Sequence, residues 1–139
     1  MKTISTRAFV IADYDRAVAL WRNVDGVEIC EGDSREEIGV YLARNPGLSR
    51  VAESEREVVG AVLCGHDGRR GFVYHLAVAP AFRGRGVGKL MLDESIRGLR
   101  AAGIQRALLL VATDNAKGHE FWLRHGWEDI AALALALDV

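Results

Sequence analysis

A chain of 139 residues, half hydrophobic and 27% charged, has the size and balance of one globular domain with one core, here residues 1–139. Its net formal charge of −1 excludes a global attraction to nucleic acid or to an anionic membrane. Cys30 and Cys64 show no C-x-x-C spacing and read as reduced thiols, no apolar stretch could span a bilayer, and residues 1–5 lack the apolar run of a signal peptide, so the expected compartment is the cytoplasm.

In chain order, residues 3–8 read as a first strand. Asp13 is expected to cap a helix whose apolar face carries Val18, Leu20 and Trp21. After an acidic, turn-rich connection, Ser34 and Glu37 have capping-box spacing and open a second helix, which Asn45-Pro46-Gly47 stops. Residues 49–54 and 57–65 read as a hairpin turned at Glu55-Arg56, and Asp67-Gly68 turns the chain into a strand over 71–78. Pro80 ends that strand. Val87, Leu90, Met91, Ile96 and Leu99 are spaced for a long helix closed at Ala102-Gly103. The unbroken apolar run 107–111 reads as a central buried strand, and Asn115 as the cap of a last helix ending at Gly126. Residues 127–129 and 133–137 would be two final strands. The order is β-α-α-β-β-β-α-β-α-β-β, an α/β sandwich with a mixed sheet and a crossover helix near its middle.

The strongest local signal is Arg83-Gly84-Arg85-Gly86-Val87-Gly88-Lys89, set between a strand and a helix. A helix start offers backbone N–H groups without internal partners and the positive end of the dipole. Three alternate glycines let an anion touch that backbone, and Arg83, Arg85 and Lys89 add charges that pair with phosphate oxygens. The parts suit a pyrophosphate. A Walker loop is absent, and Lys89 stands where a dinucleotide fingerprint needs its third glycine. A glycine-rich helix start with solvated basic residues is the plainer alternative.

Arg83-x-x-Gly86-x-Gly88 resembles the [Q/R]-x-x-G-x-[G/A] motif of the GCN5-related N-acetyltransferase (GNAT) family. His75-Leu76-Ala77-Val78-Ala79-Pro80 is similar to the strand before that motif, and residues 115–127 to the family's later N-x-x-A-x-x-[FL]-Y-x-x-x-G-[FW] segment. Residues 57–68 are similar to small bacterial YpeA-like members. The resemblance implies a GNAT-like acyl-CoA N-acyltransferase fold in which two central parallel strands, 72–78 and 107–111, splay apart around acetyl-CoA. Backbone groups of Leu76 and Val78 would meet the pantetheine amides, and the Leu76 N–H would face the thioester carbonyl as an oxyanion-type donor. The pyrophosphate would rest on N–H groups of Arg83, Gly84, Arg85, Gly86, Val87, Gly88 and Lys89. Asn115 would reach the pantetheine arm, and Trp122 stands where the family usually has a tyrosine near the sulfur.

Transfer to an amine needs a base, because a lysine-like ammonium, of pKa about 10.4, has no lone pair. His75 is the candidate, at a position where many family members carry glutamate; an imidazole titrates near neutral pH. A histidine hydrogen-bonded within the sheet is the alternative. Trp122 cannot serve as a titrating acid, and Tyr74, Tyr41 and His119 are the remaining candidates. Asp25, Glu28, Glu31, Asp33, Glu36 and Glu37 would favour a cationic acceptor such as a polyamine, an amino sugar or a lysine side chain, or form a solvated acidic face. Trp21 and Tyr41 would line that pocket or belong to the core. His66, His119 and His125 lack metal-ligand spacing, so no metal is expected. Residues 132–137 are apolar on both faces, and an open edge there would suit a second copy. The leading expectation is an acetyl-CoA-dependent N-acetyltransferase acting on a small-molecule amine or a protein amino group. A catalytically silent acyl-CoA-binding or sensing module and a structural interaction domain are the alternatives.

Overall fold

The computed structural model describes residues 2–139; Met1, the first residue of the N-terminal reading, lies outside them. The elements are β1 Ser5–Ala8, α1 Tyr14–Arg22, α2 Arg35–Arg44, β2 Arg50–Ser54, β3 Glu57–His66, β4 Gly71–Val78, α3 Val87–Ala101, β5 Ala107–Leu108 and α4 Ala116–Arg124. The strands lie in sequence order in one sheet. Pairing is antiparallel from β1 to β4, and β5 joins β4 in parallel across the α3 crossover. The expected mixed-sheet α/β class therefore stands. Among the described residues no helix is long and apolar enough to cross a membrane.

The sheet is covered on both faces, which is why β3 carries an almost unbroken apolar run. Ala61 and Leu63 face α1 and α2, in one cluster with Trp21, Ile38 and, from β2, Val51. Val62 and Cys64 face α3, with Met91, Leu92 and Leu99. Helix α3 comes close: a Cβ on Gly60 would stand 2.8 Å from the Met91 methyl. Burying each of these large side chains contributes on the order of 2 kcal/mol. The Ser34 box forms as spaced, with Glu37 N–H donating to Ser34 Oγ at 3.1 Å and Ser34 N–H donating to the Glu37 carboxylate at 3.3 Å.

Three expectations change. Asp13 does not cap α1 through its side chain. Its carboxylate is buried, takes Arg7 at 2.7 and 2.8 Å and Arg16 at 2.8 Å, and reaches back to the Val10 N–H at 3.0 Å. The run 107–111 is strand only over Ala107–Leu108 and is half-buried to exposed. Residues 127–129 and 133–137 form no strands, and Leu133, Leu135 and Leu137 are 86–92% exposed. The last change has a physical reason. A two-residue β5 offers almost no ladder to extend, and an Ala-Leu alternation has little strand preference of its own.

Candidate active site

The pairing of β4 with β5 stops at Phe72 and Leu108. Strand β4 runs on to Val78 with no neighbour on that side. Ala79 N–H donates to Val59 O on β3 at 2.8 Å. Antiparallel alternation then turns the backbone groups of Leu76 and Val78 away from β3, into the gap left by β5. The Val78 carbonyl accepts from Arg83 Nε at 3.1 Å. The gap thus offers N–H donors from β4 and lies beside the loop that follows it.

That loop is exposed from Arg83 to Gly86. Gly84 and Gly86 have φ of +76° and +77°, a left-handed backbone that disfavours any side chain, and a Cβ on either would meet nothing within 4 Å. Gly86 is the N-cap of α3 and supplies no side-chain cap. The first intrahelical bond runs from Leu90 N–H to Gly86 O at 2.9 Å, so the N–H groups of Val87, Gly88 and Lys89 have no acceptor within the helix. The open Cβ positions of Gly84 and Gly86 lie next to these donors in the chain. The Val87 side chain is buried in the core, so only its backbone can serve a ligand. Gly88 sits where α3, β4 and α4 converge, with Val78, Phe121 and Leu76 atoms 3.6–3.9 Å from an added Cβ.

The cations are arranged unevenly. Arg83 spends its Nε on Val78 O, and among the described residues its two terminal nitrogens have no partner. Arg85 lies over the Phe82 ring and donates to Lys2 O at 2.6 Å. Lys89 pairs with Asp93 at 2.6 Å, one helical turn on.

Asn115 caps α4, its Oδ1 accepting from Gly118 N–H at 3.0 Å, and its amide lies against Gly26 of the α1–α2 connection. Trp122 is half-buried, edge-on to Trp127 and Phe121 at 5.2 Å each, and packs against the α3-side core. Lys89, Asn115 and Trp122 line a cavity of about 1060 Å³ between α3, the segment after β5, and α4. Leu76, Val78 and residues 83–88 lie outside its wall.

His75 stands on a β-bulge. Leu63 faces Tyr74 and Ala61 faces Ala77, so His75 and Leu76 together oppose Val62. The bulge gives His75 a φ of +55°. It also resets the alternation: Tyr74 meets Tyr41 of α2 edge-on, while His75 meets Trp21 of α1, also edge-on. Two successive side chains therefore point to the same side of the sheet. His75 Nε2 lies 2.8 Å from Asp33 Oδ2, with both side chains largely buried. The pairing crosses 42 residues. By sequence Asp33 belongs with the carboxylates expected around a cationic acceptor or on a solvated acidic face, and no local pattern signals its partner.

A cavity of about 400 Å³ opens between α2 and the β3–β4 hairpin, lined by Gly32, Glu37, Tyr41, Arg44, Phe72 and Tyr74 among others. Gly32 and Tyr74 directly precede Asp33 and His75 in the chain. Of the six carboxylates expected around an acceptor, Glu37 alone lines this wall. Asp25, Glu28, Glu31 and Glu36 are exposed, and Asp33 is buried. Burial pushes the Tyr74 phenol up, and it pushes Tyr41 far above the usual phenol range. The Tyr41 hydroxyl is buried without a partner among the described residues. His119 pairs with Asp129 at 2.6 Å on the exposed side of α4. Among the described residues no three His, Cys, Asp or Glu side chains gather as a metal site. Both cysteines are free thiols.

The model of the Acetyltransferase (GNAT) family matches residues 9–127. An acetyltransferase of Photorhabdus laumondii is 36% identical over 113 residues, which cover 78% of this chain and 76% of its own. The crystal structure of Ard1 from Thermoplasma volcanium superposes with a TM-score of 0.79 at 20% identity, over 92% of this chain and 84% of that one. The PaiA N-acetyltransferase of Thermoplasma acidophilum, solved in complex with coenzyme A, gives a TM-score of 0.77 at 19% identity, over 91% and 90%.

Proposed function

Because the chain belongs to the GNAT acetyltransferase family and is an acetyl-CoA-dependent N-acetyltransferase, we propose that it acetylates a primary amine, either a small cationic molecule or a protein amino group, by direct attack on the thioester. The observation that carries this reading is the start of α3. Three N–H groups without an acceptor within the helix, and two positive-φ glycines with open Cβ positions, lie beside the end of a strand whose pairing with β5 stops at Phe72. In the proposed arrangement the N–H groups of residues 83–89 hold the pyrophosphate, assisted by Arg83, Arg85 and Lys89. The backbone of Leu76 and Val78 binds the pantetheine arm, with the Leu76 N–H aimed at the thioester oxygen as charge develops there. Asn115 bounds the arm from α4, and Trp122 shapes the pocket without supplying a proton. Acetyl-CoA supplies an activated acyl carbon. The chain's own residues bind it, orient it and remove a proton from the amine.

His75 is the proposed base. It takes a proton from the acceptor ammonium, the freed nitrogen bonds to the acyl carbon, the C–S bond breaks, and the second proton shed by the nitrogen as the amide forms passes to the departing thiolate or to solvent. Steady-state assays over a panel of amines, with release of free thiol as the signal, test the reading. His75→Ala should lower turnover about a hundredfold with acetyl-CoA affinity unchanged; unchanged turnover removes His75 from the mechanism. Trp122, in place of a phenol, supports a second reading, a silent acyl-CoA-binding or sensing module. Binding without turnover on every acceptor would favour it. The exposed Leu133, Leu135 and Leu137 support a second copy as a neighbour, which a monomeric mass in solution would contradict.

A further inference from the structure

Asp33 is held in place before it meets His75. Its N–H donates to Cys30 O at 3.1 Å, closing a turn, and its carbonyl accepts the Tyr14 hydroxyl at 2.6 Å. Its Oδ2 accepts the Cys30 N–H at 3.1 Å. That same oxygen lies 2.8 Å from His75 Nε2. An oxygen that already receives a backbone N–H is an acceptor there, and an ionised carboxylate has no proton to give. For a carboxylate facing a neutral imidazole, the contact requires the ring hydrogen on Nε2. Among the described residues Nδ1 has no hydrogen-bond partner, and 15% of the His75 side chain stays exposed. Trp21 flanks the ring and the bulge fixes its backbone, which leaves the imidazole little freedom to turn.

We infer that Asp33 is the positioning residue of the active site: it fixes the Nε2–H tautomer of His75, so that Nδ1 is the atom that takes the proton from the acceptor amine. The inference rests on the proposed role of His75. The proton moves from the ammonium to the Nδ1 lone pair, and the Nε2–H stays on Asp33 throughout. The imidazolium then returns one proton to solvent, and the ring regains its starting tautomer.

The test has two arms. The first is the ¹⁵N spectrum of the His75 side chain in the resting protein, which needs no variant and no turnover. An Nε2–H pattern is expected, and an Nδ1–H pattern overturns the inference. The second arm compares Asp33→Ala with Asp33→Asn, each with acetyl-CoA affinity and thermal midpoint measured as a check on folding. In Asp33→Asn the amide oxygen should stay on the Cys30 N–H and keep accepting from Nε2, so turnover should stay within a few-fold of wild type. Asp33→Ala loses the acceptor, and kcat should fall on the order of a hundredfold while the KM for acetyl-CoA holds. Equal loss in both variants, or loss in neither, overturns the inference. The two failures are separable: if His75→Ala is fully active the base assignment falls, whereas an inactive His75→Ala beside a fully active Asp33→Ala sinks the positioning role alone.

Discussion

Replacing Gly86 by valine separates the cradle from the fold that carries it. Gly86 has a φ of +77°, and an added Cβ meets nothing within 4 Å. The Cβ itself clashes with nothing, and the backbone strain costs about 1–2 kcal/mol for a residue with a Cβ in the left-handed region. A domain stable by roughly 5–15 kcal/mol survives this. With about 4 °C lost per kcal/mol, the thermal midpoint should fall by about 4–8 °C. The isopropyl group would stand in the space before the unpaired N–H donors of α3. Losing two charge-assisted hydrogen bonds, at about 1.5–3 kcal/mol each, weakens acetyl-CoA binding by roughly 10²–10⁴-fold. Gly103 is the control. It too has a positive φ, +81°, with open space around its Cβ position, at the far end of α3. Seventeen residues of helical rise put it about 25 Å away. Gly103→Val should lose the same stability and none of the binding. Isothermal titration with acetyl-CoA, run beside thermal melts, reads both quantities. A Gly86→Val protein that binds within twofold of wild type would refute the placement of the pyrophosphate, whatever its melting point.

Two further predictions concern groups away from the loop. Desolvation pushes the buried Asp13 carboxyl up, but hydrogen bonds from Arg7 and Val10 N–H and the charge of Arg16 outweigh it and hold its pKa below the ordinary value. A depressed carboxylate contributes stability that is fully present above its unfolded pKa, about 3.9, and is lost as pH falls through the folded value. Asp13→Asn should therefore cost about 3–5 kcal/mol at pH 7 and flatten the fall of the melting point below about pH 4; an unchanged acid profile would show that the Arg7–Asp13–Arg16 group is not the acid-sensitive element. Burial pushes the Cys64 thiol up to about 12, so a maleimide at pH 7.5 should label only the exposed Cys30 in the folded protein and both thiols in denaturant, as counted by mass spectrometry; folded-state labelling of Cys64 would contradict its packing against α3.

What could be read from the sequence divides along physical lines. The Ser34–Glu37 box was legible because a cap is a local bargain between residues three apart. The β3 run and the strand–glycine–helix setting of the loop were legible because period and composition report burial and turn chemistry directly. The tail was not, because a period of two says which faces a strand would show and nothing about whether a ladder partner exists. Asp13 reads as a cap because a residue before a helix looks the same whether its carboxylate caps that helix or gathers arginines. The Asp33–His75 contact was invisible for a different reason: it depends on a bulge that adds one residue to β4 and on a loop that folds back across 42 positions. His75 could be singled out by chemistry, but its partner could come only from the fold.

The most direct test of the account is an amide chemical-shift titration of ¹⁵N-labelled protein with coenzyme A and, separately, with pantetheine, which lacks the diphosphate. The account predicts that coenzyme A moves the N–H signals of Val87, Gly88 and Lys89 together with those of Leu76 and Val78, while pantetheine moves only the strand signals. Loop amides that stay still with coenzyme A, or that respond equally to both ligands, would contradict it.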